Sequence, residues 1–91
     1  MKQQYCLHYF ISGLVQGVFY RDSTRKKAQA LDITGWVKNL PDGRVELIAC
    51  GEQNQLKALE KWLWEGPPKA KVSDVRVEKT DLSEFVDFTI R

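Results

Sequence analysis

Apolar and polar residues alternate along YCLHYFIS, residues 5–12. Tyr5, Leu7, Tyr9 and Ile11 fall on one side of an extended chain, and Cys6, His8, Phe10 and Ser12 on the other. That period of two predicts a strand with one buried face. A glycine-containing loop over 13–19 follows, and then DSTRKKAQALDI predicts a helix. Asp22 or Ser23 can cap it, and Thr24, Ala28 and Leu31 form a narrow inward stripe. TGWVKN reads as a second strand and RVELIAC as a third, with Val45, Leu47 and Ala49 facing one way. NLPDGR between them is a hairpin turn. Pro41 presets one dihedral, Asp42 favours the turn and Gly43 supplies a positive φ. NQLKALEKWLWE predicts a second helix with Leu56, Leu59 and Leu63 inward, stopped by Gly66, Pro67 and Pro68. KVSDVRVEK and the terminal EFVDFTIR complete the set as strands.

Strand, helix, strand, strand, helix, strand, with a short extra C-terminal strand, is an α+β order. It predicts a ferredoxin-like βαββαβ sandwich in one domain, residues 1–91. Two helices cover one face of such a sheet, so an antiparallel sheet open on its other face is expected.

Composition changes this picture little. A 91-residue chain with 43% hydrophobic residues can bury a core without metal or disulfides. A net charge of +2 is too small to argue for nucleic acid, yet leaves room for a local anion site. No run approaches the ~20 apolar residues of a membrane span, and the short apolar run near residue 10 is broken by His8 and Ser12. The expectation is a cytoplasmic monomer with no membrane or nucleic-acid partner and no cofactor. No cluster of His and Cys has metal-ligand spacing, so no metal is expected.

The chemistry is concentrated in SGLVQGVFYRDSTRKK, residues 12–27. Gly13 and Gly17 permit positive φ. Turns of that kind can aim successive N–H groups at one point and form a nest for an anion. A helix begins directly afterwards, and its free N–H groups add to the attraction. Arg21 stands at the mouth, where its planar fork suits two phosphate oxygens. The spacing fits neither the P-loop nor the dinucleotide glycine motif. On residues alone two readings stay open: a phosphate-like anion site, or a simple bend followed by a solvated arginine. Asn39, at the end of the second strand, is likewise open. It is either a turn-forming asparagine or an amide able to hold a water.

GLVQGVFYR followed by GWVKNLPDGRVE strongly resembles the acylphosphatase family, and the similarity continues through GEQNQLKALEKWLWEGPPKAKVSDVRVE. The resemblance implies hydrolysis of the carboxyl-phosphate bond of acyl phosphates, small-molecule substrates that would leave as a carboxylate and inorganic phosphate. It places the phosphate-binding arginine on Arg21 and the water-orienting asparagine on Asn39. The phosphate-binding loop falls on Leu14, Val15, Gln16, Gly17, Val18, Phe19 and Tyr20. Leu14 departs from the basic residue many relatives carry, and Tyr20 from a common phenylalanine. The chain ends at Arg91, where many relatives add an aromatic residue.

Other readings carry less weight. An RNA-recognition module would need aromatic stacking residues on its central strands, and RVELIAC has none. A non-catalytic domain using the same nest to bind phosphate or another anion for regulation is the alternative function. His8 falls on the open-face parity, as a surface residue. Trp62 and Trp64 suit helix packing and partial exposure rather than a ligand cage. Cys6 begins the first strand and Cys50 ends the third. In this topology those strands are antiparallel neighbours, so the two thiols are brought near and form a candidate disulfide. A reducing cytosol argues instead for two free thiols.

Overall fold

The computed structural model describes residues 3–91. Its elements run β1 (Tyr5–Leu14), α1 (Tyr20–Ala30), β2 (Thr34–Asn39), β3 (Val45–Gly51), α2 (Gln53–Glu65), β4 (Lys71–Thr80) and β5 (Phe88–Ile90). They form one sheet in the order β4-β1-β3-β2-β5, with both helices against one face. The alternation in β1 sets which face is buried. Tyr9 lies opposite Leu47 and Ile11 opposite Val45, and Val37 pairs with Leu47 from the other side. All five are wholly buried. Thr24 and Ala28 of α1 and Leu56, Leu59 and Leu63 of α2 close over them. This is the ferredoxin-like α+β sandwich that the element order predicts.

Four details differ from the sequence reading. First, β1 runs through Gly13 to Leu14. Gly13 belongs to a bulge where the register with β4 shifts after Ser12. A Cβ there would lie 2.1 Å from the Lys71 carbonyl oxygen, so glycine serves a close strand contact and not the loop. Second, α1 starts two residues earlier than predicted, and its N-cap is Phe19, with no side-chain cap bond. Asp22 is inside the first turn and pairs with Arg25 and Lys26 instead of capping. Third, α1 ends at Ala30, because Asp32 turns to φ 57 and breaks the helical path. Fourth, the terminal strand is only Phe88–Ile90, and it runs parallel to β2. Residues 81–87 first carry the chain from the β4 edge to the far edge, and pairing with β2 begins at its end, where the Asp87 carbonyl oxygen accepts from the Gly35 N–H at 3.0 Å.

At the end of the sheet away from the β1–α1 loop, Cys6 and Cys50 are register partners and their sulfurs form a disulfide. The crossing segment passes over it, and the Ser83 N–H points at Cys6 Sγ (3.4 Å). Both cysteines are buried despite lying on the open-face side of their strands.

Candidate active site

The loop between β1 and α1 is held from below. Val15 and Val18 turn their side chains into the main core. Between them Gly17 takes φ 74, with open space where a Cβ would stand. Glycine is therefore required there by the left-handed dihedral and not by crowding. Phe19 also adopts a left-handed conformation, φ 65 and ψ 24, and delivers the chain into α1. Among the described residues, the N–H groups of Gly17, Val18 and Phe19 make no backbone hydrogen bond. The first N–H groups of α1 add further donors with no helical acceptor. Two left-handed residues in a three-residue stretch, leading into a helix N-terminus, have the makings of a nest for an anion.

Arg21 sits in the first turn of α1 and lines a cavity of about 310 Å³ beside this loop. Among the described residues it has no ion pair. The adjacent carboxylate of Asp22 is held by Arg25 at 2.7 Å and Lys26 at 3.2 Å. The hydrogen bonds from Arg25 and Lys26 lower the Asp22 pKa, and the two cations offset a negative charge that would otherwise oppose an anion. Asn39, the last residue of β2, lines the same cavity. Its Oδ1 is buried and accepts no hydrogen bond from the protein among the described residues. A buried amide oxygen of that kind is an acceptor available to a water or a substrate. The cavity thus joins a cation, an array of main-chain donors and an uncommitted acceptor.

Of the loop residues singled out from the sequence, Val15, Gln16, Gly17, Phe19 and Tyr20 border the cavity, whereas Leu14 and Val18 do not. Leu14 is exposed at the end of β1, opposite Lys71 of β4. Two side chains do more than the sequence reading gave them. Gln16 Nε2 donates to the carbonyl oxygens of Leu40 (2.8 Å) and Arg44 (2.9 Å), both in the β2–β3 turn. The loop is therefore tied to the residue that follows Asn39. Tyr20 buries its ring against Trp62, and its hydroxyl donates to the Leu63 carbonyl oxygen at 2.6 Å. In a helix that carbonyl would be met by the N–H of residue 67, and residue 67 is proline. The hydroxyl that distinguishes Tyr20 from phenylalanine fills that gap. His8 lies away from this cavity, paired with Glu46 at 2.6 Å on the open face of the sheet.

Comparison with known proteins bears on the same stretch. The family model described as Acylphosphatase matches residues 7–90. The chain is 53% identical over 90 residues to an acylphosphatase of Coxiella burnetii, covering 99% of this chain and 95% of that protein. A solved acylphosphatase structure from Coxiella burnetii superposes with a TM-score of 0.94 at 53% identity, covering 97% of this chain and 93% of that one. The crystal structure of acylphosphatase from Bacillus subtilis does so with a TM-score of 0.93 at 33% identity, covering 98% and 99%. With sequence agreement along the whole chain and the same backbone path throughout, this protein belongs to the acylphosphatase family.

Proposed function

We propose that Arg21 and the main-chain N–H groups of residues 15–20 hold the phosphoryl group of an acyl phosphate, and that Asn39 orients the water that attacks it. The observation carrying this assignment is the shared cavity. Among the described residues, it sets an arginine without an ion pair and a buried amide oxygen with no hydrogen bond beside a loop whose N–H groups make no backbone bond.

An acyl phosphate is a mixed anhydride with a good leaving group, so no strong nucleophile is required. Positioning and charge stabilisation supply most of the catalysis. As the bond between phosphorus and the bridging oxygen loosens, negative charge spreads over the phosphoryl oxygens, where fixed donors act most strongly. Asn39 Oδ1 accepts one hydrogen of the water and aims its lone pair at phosphorus. An amide takes no proton near neutral pH, so the water's proton passes to a substrate oxygen. The products are a carboxylate and inorganic phosphate. Arg21, Asn39 and the loop converge within a single chain, and we take a monomer as the working unit. We place it in the cytoplasm, where a reactive anhydride can be met near its source.

Release of inorganic phosphate from benzoyl phosphate tests the assignment. Asn39→Ala is expected to lower kcat about 10²-fold, the scale of a misplaced reacting group, with competitive inhibition by phosphate retained. Arg21→Ala is expected to weaken phosphate inhibition and turnover together. Arg21→Lys is also severe, because a point charge does not reproduce the guanidinium fork. Full activity of Asn39→Ala would end the water-orienting role.

A further inference from the structure

Phe19 is poorly suited to its place by every local criterion. Its left-handed backbone, φ 65 and ψ 24, disfavours a bulky side chain. The other described non-glycine residue with positive φ is Asp32, a type that tolerates it. Packing gives Phe19 no compensation either, because 76% of the residue is exposed. Its side chain makes no cap bond to α1. A glycine or asparagine would serve the turn better. What the ring does have is position: it borders the cavity that contains Arg21 and Asn39. A second exposed apolar side chain, Ile90 at the end of β5, borders it as well.

We infer that Phe19, with Ile90, is a specificity-determining contact for the acyl group, and that the preferred substrates carry an apolar acyl part, aryl or longer alkyl. The inference rests on the reading that Arg21 and the loop hold the phosphoryl group. In an acyl phosphate the acyl carbon is one bridging oxygen from phosphorus. A phosphoryl group seated beside Arg21 therefore sends its acyl substituent out through the mouth of the cavity. Among the apolar residues lining the cavity, Val15 and Tyr20 are buried, and the exposed ones at its rim are Phe19 and Ile90. A planar aryl group stacking on an exposed ring gains both apolar burial and ring-ring contact. An acetyl or carbamoyl group is too small or too polar to gain as much.

The test is a ratio: kcat/KM for benzoyl phosphate divided by kcat/KM for acetyl phosphate. In Phe19→Asn, whose side chain suits left-handed backbone, the ratio is expected to fall about five- to tenfold, the scale of one aromatic contact. Phe19→Tyr keeps the ring and should keep the ratio. Ile90→Thr should lower it by a smaller factor. The ratio cancels any general damage to the loop, which depresses both substrates alike. A ratio in Phe19→Asn within twofold of the parent overturns the inference, whatever the absolute rates. Failure of the underlying reading is seen separately, as parental phosphate inhibition and turnover in Arg21→Ala.

Discussion

Replacing Gln16 with leucine keeps the volume of the side chain and removes its two donors. The Leu40 and Arg44 carbonyl oxygens are not orphaned by this change. Leu40 oxygen still accepts from the Gly43 N–H (3.2 Å), and Arg44 oxygen from the Leu40 N–H (2.8 Å). The loss is therefore that of two ordinary hydrogen bonds, about 2 kcal/mol together. In a domain of this size each kcal/mol lowers the melting midpoint by about 4–8 °C, so a protein folded at 25 °C remains available for kinetics. The catalytic effect is expected to be larger than the stability effect suggests. Among the described residues, the side chain of Gln16 hydrogen-bonds the loop to the turn that begins beside Asn39, and a misplacement of about 1 Å can cost 10²-fold. We expect kcat on benzoyl phosphate to fall ten- to a hundredfold, on the order of that estimate. A double-mutant cycle separates positioning from bulk destabilisation. On an Asn39→Ala background the same Gln16→Leu change should cost less than about threefold, since there is no longer an amide to misplace. Full additivity of the two losses, or kcat within twofold of the parent for Gln16→Leu alone, would refute the reasoning.

Two further predictions concern the scaffold. Tyr20→Phe leaves the buried Leu63 carbonyl oxygen without its donor, and should cost about 1–3 kcal/mol in chemical unfolding with kcat little changed. Burial also raises the Tyr20 phenol above its ordinary value of 10.0. The folded state then holds that proton more tightly than the unfolded state does. Its contribution is complete below about pH 10 and declines above it, a decline that should be shallower in Tyr20→Phe when unfolding is followed from pH 8 to 11. Changing Cys6 and Cys50 together to serine removes a cross-link spanning 44 residues of sequence, which the chain-entropy model values at about 4 kcal/mol. Activity at 25 °C should survive that change, because the disulfide lies at the opposite end of the sheet from the cavity. A large loss of kcat in folded double-serine protein would contradict this separation of scaffold from site.

The sheet and its core were legible because period-two alternation marks a strand with one buried face. Tyr9, Ile11, Val45, Leu47 and Ala49 fall on the side the pattern assigns them. The ends of elements were less legible. Gly13 looks like loop chemistry in the sequence, but its role depends on a carbonyl of Lys71 that only the folded sheet brings within 2.1 Å of its missing Cβ. Asp22 resembles a cap, yet its carboxylate is drawn to Arg25 and Lys26. At the site, Arg21 and Asn39 were candidates by residue type and by resemblance, and the structure sets both beside one cavity. Gln16 and Tyr20 were read only as loop positions, and the bonds their side chains make could not be foreseen, since each reaches a carbonyl distant in sequence that no local pattern announces. The hint for Tyr20 was the proline at 67, which removes an N–H and leaves Leu63 needing another donor.

The loop before α1 presents peptide groups, and this shapes how the enzyme can change over generations. Every residue except proline brings the same N–H to its position. Codon changes from 15 to 20 to any residue but proline therefore leave the number of donors untouched, and act only by bending the path or altering what surrounds it. On the assignment proposed above, Arg21 and Asn39 have no such insurance. Drift should then be tolerated at the outward-facing positions of this segment, where acyl preference could be retuned without rebuilding the grip on phosphate.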